Sequence, residues 1–206
     1  PWMRITPAGS KLFPCLRARS APASTRISPT GLSEPTIQRL RAVSGEADDF
    51  DWSHGCGTVE ASLEDVYLAV QDTEVAVDQR SVDEWTREDG VEPEYDVSFV
   101  LQNTVNDIIT VEFETTWRAG ALEADDKEGL SEIGVRHQMT VAPQVITLME
   151  GSIYASDNGD GTVEIQFIEH VDALRGGTDI TILKVEDIFE DVQAHIAGEA
   201  IPSHRD

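Results

Sequence analysis

Cysteine is almost absent: Cys15 and Cys56 are the only two in 206 residues. With the first lying in a segment that has no apolar pattern, a disulfide framework is not expected, and stability must come from burying a core. The close pair His54 and Cys56 has no second His/Cys pair of matching spacing. His137, His170, His195 and His204 are scattered, so no metal site is expected and Cys56 reads as a plain thiol beside a turn histidine. Lysine is nearly as scarce, with Lys11, Lys127 and Lys184 set against 39 acidic residues and a net charge of -24. An excess of this sign repels phosphate backbones and argues against a nucleic-acid partner. No stretch approaches the roughly 18 apolar residues of a spanning helix, so no stable membrane insertion is expected and the body reads as soluble, with a cytoplasmic location favoured. GxSxG, a paired metal box and a Gly-rich phosphate loop are all missing. No catalytic residue and no cofactor can therefore be assigned from a motif.

One stretch does resemble a metal loop. DNGDGTVEIQF, Asp157 to Phe167, opens with the acidic and glycine residues of a calcium-binding turn. Such a loop needs a glycine at its sixth position and a bidentate glutamate at its twelfth. Setting Gly161 sixth puts Phe167 twelfth, where no oxygen is available, and setting Gly159 sixth starts the loop at Tyr154. The cluster reads instead as a hairpin turn between two alternating runs.

The chain divides by composition. Residues 1-45 are rich in Pro, Ser, Ala and Arg and lack apolar periodicity. They are expected to be a disordered basic leader. Their Arg- and Ser-rich, acid-poor character is similar to that of an organelle transit peptide, and Leu12 to Cys15 has a partial likeness to a lipoprotein cleavage box without the apolar run before it, so a targeting role is left open.

Residues 46-206 carry the pattern of one domain. Ser62 to Asp65 is an S-x-x-D capping box that starts a short helix ending near Asp72, and a second short helix is expected around Ser81 to Arg87. Period-two runs follow: Tyr95 to Val105, then Ile109 to Trp117 after a tight turn at Asn106-Asp107, then Ile133 to Val141, Val145 to Ala155, and Val163 to Phe167. Sequential strands reversed by turns predict one antiparallel sheet. The chain closes on a helix over Asp179 to Gly198, whose stripe Val185, Ile188, Phe189, Val192 and Ile196 needs an apolar face to cover.

The fold class is therefore α+β, with a curved antiparallel sheet wrapped around a long C-terminal helix. GCGTVEASLEDVYLAVQD at the front of the body and ITLMEGSIYASDNGDGTVEIQFIEHVDA before the last helix stand in an order that resembles the START-like (SRPBCC, helix-grip) superfamily, over roughly residues 52-200. That superfamily includes polyketide cyclase/dehydrase and lipid-transport proteins. The resemblance implies a cavity between sheet and helix that holds an apolar small molecule, and it transfers no catalytic motif.

Parity proposes the wall of such a cavity. Phe99 and Leu101, then Val111, Phe113 and Trp117, form the first part; Val135, Met139, Ile165 and Phe167 continue it, and Ile188, Phe189 and Val192 come from the helix. His137 shares the inward parity and is the candidate to orient a polar head group; Arg136, Glu150, Tyr154, Glu169 and His170 lie near the same surface. The favoured function is binding of a hydrophobic small molecule such as a lipid, sterol or polyketide. A cyclase or aromatase using His137 or His170 with Glu150 or Glu169 is the alternative, and an acidic protein-protein module a third. Oligomeric state is not legible.

Overall fold

A computed structural model describes residues 40–106, 109–125, 129–174 and 177–203. The rest of the leader therefore lies outside the described residues, and so does half of the expected turn after Asn106. Eight strands form one antiparallel sheet: β1 (Arg41–Glu46), β2 (Asp51–Glu60), β3 (Glu84–Asp89), β4 (Val97–Asn106), β5 (Thr110–Asp125), β6 (Gly129–Val141), β7 (Ile146–Asp157) and β8 (Thr162–Ala173). Their spatial order is β1-β2-β8-β7-β6-β5-β4-β3, so the sheet is curved but not closed, with β1 and β3 at its edges. Among the described residues, three helices accompany the sheet: α1 (Leu63–Ala69), α2 (Thr73–Ala76) and α3 (Thr178–Ala197).

The alternation in sequence explains the long strands. On β8 the residues Val163, Ile165, Phe167, Glu169 and Val171 are buried at every second position, which puts them on the concave face, while Gln166 is buried on the opposite one. At the turn before β8, Gly159 and Gly161 take φ of 76° and 85°, conformations that side chains with a β-carbon resist. There the acids serve the turn: Asp157 accepts from the Gly159 amide at 2.8 Å, and Asp160 accepts from the Thr162 amide at 3.1 Å.

Helix α1 starts where the capping box places it, with the Asp65 amide donating to Ser62 Oγ at 3.1 Å. The segment expected to be helical around Ser81 to Arg87 is instead largely strand: β3 pairs with β4 from Glu84↔Thr104 to Asp89↔Phe99. The short helix lies earlier, at α2, capped by Asp72. Likewise β1 takes in Arg41 to Gly45, which composition had placed in the leader. Both misassigned strands are six-residue edges with little apolar content, so their extended form comes from pairing with a neighbour rather than from a core-facing pattern.

Helix α3 ends at Gly198, which adopts φ 67° and receives the chain in the left-handed cap conformation. Val185, Ile188, Phe189 and Val192 are buried, and Ile196 packs against the core from its margin. The helix lies on β2, β1 and β8 and touches α1 and α2. Two glycines of β2 let it come close: a β-carbon at Gly55 would collide with Val185, and one at Gly57 would fall 2.6 Å from the Phe189 ring. With Gly55 and Gly57 facing the helix, His54 and Cys56 must point to the other side of the sheet. Neither belongs to a turn, and Cys56, expected as a plain thiol, is disulfide-bonded. No described helix is long and apolar enough to cross a membrane.

Candidate functional site

The concave face is filled at one end and open at the other. At the filled end Phe99, Leu101, Ile133, Val135, Ile165 and Phe167 pack with α1 and with Phe189, whose ring meets Phe167 edge-on at 6.1 Å. At the open end, under the first turns of α3, lies a cavity of about 400 Å³. Its floor is Phe113, Thr115 and Trp117 of β5 with Asn103 and Val105 of β4. Ile146 and Met149 of β7, with Val171 and Ala173 of β8, form one side. Ile180, Leu183, Lys184 and Asp187 of α3 form the roof, and Ala76, Asp78, Ser81 and Val82 close the remaining side.

A stack of rings separates the two ends. Trp117 lies parallel to Phe99 at 5.9 Å on one face and against His137 at 4.5 Å on the other, while the Arg87 guanidinium covers the far face of Phe99 at 3.8 Å. Trp117 Nε1 donates to Thr115 Oγ1 at 3.2 Å, which fixes the indole.

Of the residues proposed from parity, Phe113, Trp117 and His137 line the cavity. Phe99, Leu101, Ile165, Phe167 and Phe189 share its face but belong to the packed end, as do Ile188 and Val192. Val111 and Met139 are half-buried at the core margin. Val135 is buried in the core and borders a more open hollow, which runs along Arg118, Arg136 and Tyr154.

The polar centre of the cavity is a buried cluster from three elements. His137 on β6 places Nε2 2.7 Å from Oε1 of Glu169 on β8, and Lys184 on α3 places Nζ 3.2 Å from Oε2 of the same carboxylate. His137 and Glu169 are 1% and 2% exposed, and the Lys184 side chain 18%. Burial alone would raise the Glu169 carboxyl, but the combined pull of His137 and Lys184 outweighs it and holds the group below the usual carboxylate range. Glu169 is therefore an anion, and Nε2 of His137 must be the donor of their bond. His137 and Lys184 face the cavity, whereas Glu169 sits behind them. The other proposed pair, His170 and Glu150, is 3.5 Å apart in a half-exposed setting and lines no part of the cavity.

Lys184 was missed by the sequence reading, which followed only the apolar stripe of α3. The signal was present: Lys184 stands four residues before Ile188 and three after Thr181, both buried, so it shares their face. Asp191, three residues past Ile188, was missed for the same reason. It is 1% exposed and held by Arg80, whose Nη1 donates to Oδ2 at 2.9 Å and whose Nη2 lies 2.8 Å from Oδ1. Burial, reinforced by Asp187 and Asp78, pushes Asp191 up to about 6 despite Arg80.

No family model matches the chain, and no curated protein matches it at a significant level. Solved structures do. The lipid transfer and protein localization domain of human StarD13 (DLC2) superposes with a TM-score of 0.52 at 10% identity, covering 81% of this chain and 87% of that one. Human STARD10 gives 0.55 at 9% identity, covering 77% and 69%. A STAR-related lipid transfer protein fragment from Xanthomonas axonopodis gives 0.53 at 10% identity, covering 77% and 93%. With a curved, unclosed antiparallel sheet gripping one long C-terminal helix, the body has the START-like helix-grip fold.

Proposed function

We propose that the body is a container for one hydrophobic small molecule, held between the sheet and the first half of α3. The observation that carries this reading is the cavity of about 400 Å³ with a mainly apolar wall and a few convergent polar groups. Pockets that take small ligands are typically about 300 Å³ or larger and have this composition. Two of the neighbours with the same fold are described as lipid transfer proteins, which agrees with an apolar cargo. The test is mass spectrometry of the organic extract from natively purified protein, compared with Phe113→Trp protein purified in parallel. A lipid, sterol or polyketide-like species present in stoichiometric amount and depleted in the variant supports the container. No apolar species in either preparation, with no binding of added apolar ligands, overturns it.

A second reading has one observation in its favour. The bond between His137 and Glu169 fixes the orientation of an imidazole that borders the cavity, as a positioned general base requires. A cyclase-type proton abstraction would make His137→Gln protein bind a polyketide substrate but leave it unchanged on prolonged incubation, while wild-type protein converts it.

A further inference from the structure

We infer that the cargo carries a carboxylate, and that Lys184 is the group that binds it. This rests on the container reading and names the chemistry of its occupant. Oε1 of Glu169 is hydrogen-bonded by His137, Oε2 is charge-paired with the Lys184 ammonium at 3.2 Å without a well-aligned hydrogen bond, and the carboxylate is hidden behind these two groups. The cluster therefore turns its positive end toward the cavity. An ammonium has three N–H groups, and the contact with Glu169 uses one direction only.

The neighbouring polar group reinforces this polarity. Thr115 Oγ1 accepts from Trp117 Nε1 at 3.2 Å and faces Asn103 Nδ2 at 3.5 Å, so both of its lone-pair directions are occupied and its own hydrogen is left to donate. Lys184 in the roof, beside the apolar Ile180 and Leu183, and Thr115 in the floor thus both offer donors to the cavity. The two acids that border the cavity are turned elsewhere. Asp78 accepts from the Arg80 amide at 3.2 Å, and Asp187 lies 3.6 Å from the Arg80 guanidinium. A neutral hydroxyl can satisfy one donor. A carboxylate satisfies two or more and meets the ammonium with an opposite charge.

The inference is tested with dodecanoate and 1-dodecanol, which differ only at the head group, titrated into the full chain by calorimetry and by quenching of Trp117 fluorescence. Dodecanoate is expected to bind about tenfold or more tightly than dodecanol, the difference given by a charge-assisted hydrogen bond. Lys184→Met should remove most of that preference by weakening dodecanoate far more than dodecanol. Should this variant fail to fold, because Glu169 has lost its partner, the double variant Lys184→Met with Glu169→Gln removes both charges and serves in its place. Equal affinities in the wild type, tighter binding of dodecanol, or a variant that weakens both ligands alike would overturn the carboxylate assignment and leave the container intact. Binding of neither ligand would overturn both.

Discussion

His137 and Glu169 meet at 2.7 Å although their strands are not neighbours. β7 runs between them, and the residue it places there is Gly151, paired with His137 on one side and with Glu169 on the other. A β-carbon at this position would collide with His137 Nε2 and fall 2.7 Å from Glu169 Oε1 and 2.6 Å from the Ile168 carbonyl. The contact across the strand exists because Gly151 leaves the space empty.

Gly151→Ala should therefore separate the pair and strain the sheet. Overpacking of this kind costs about 1–3 kcal/mol, and urea unfolding at neutral pH should show a loss in that range. If stability is unchanged and the His137 imidazole signals in an NMR spectrum do not move, the pair does not depend on that glycine.

Acid should act through Glu169. Its folded carboxyl lies below its unfolded value, so its contribution to stability is complete above the unfolded value and is lost as pH falls through the folded one. Glu169→Gln should cost about 3 kcal/mol near pH 7, because Lys184 and His137 lose a buried partner, and progressively less toward pH 3. Denaturant titrations at several pH values would show the two proteins converging; a constant gap would refute the assignment.

Asp191 has the opposite sign. Its carboxyl is raised from 3.8 to about 6 in the folded protein, so its contribution is greatest below pH 4 and falls as pH rises toward 6. Arg80 limits that fall. Arg80→Met should destabilise by about 3 kcal/mol at pH 7 and by clearly less at pH 5, where Asp191 without its partner is protonated. Equal losses at both values would show that Arg80 acts by packing alone.

The cavity makes a prediction of volume. Phe113→Trp should weaken apolar ligands by filling space while lowering the thermal midpoint little, since the added atoms enter an opening rather than a solid core. Trp117→Phe serves as the fluorescence control, because Trp52 and Trp85 do not line the cavity. A large drop in midpoint with unchanged binding would mean that the interior at Phe113 is close-packed.

At the packed end the expectation is different. Phe189 sits over Gly57 and against Phe167, so Phe189→Asp buries an unpaired charge and should cost several kcal/mol, roughly 3 or more. Circular dichroism during thermal unfolding would reveal it.

The inner face was legible because alternation is a local property: Phe113, Trp117 and His137 could be assigned to it from parity on their own strands. Position along the strand axis was not legible. Phe99 and Phe113 have the same parity, yet one lies in the packed end and the other under the cavity, and only the placement of α1 and Phe189 decides between them. The polar cluster was half legible, since Glu169 has inward parity on β8 but was weighed equally with Glu150. Its proximity to His137 depends on the register of three strands and on Gly151, an isolated glycine within a strand, which is itself a sign of close approach. Edge strands β1 and β3 left little signal because their short, polar sequences are extended through pairing alone.

The three members of that cluster reach the fold at different times. His137 and Glu169 belong to strands that can zip together as a sheet, but Lys184 arrives with α3, which follows every strand in the chain. During synthesis the carboxylate therefore waits with one oxygen uncapped until the final helix has left the ribosome and settled into the notches at Gly55 and Gly57. The sheet can take shape before the helix is available, whereas the roof of the cavity cannot, since Ile180, Leu183, Lys184 and Asp187 close it only once α3 has docked.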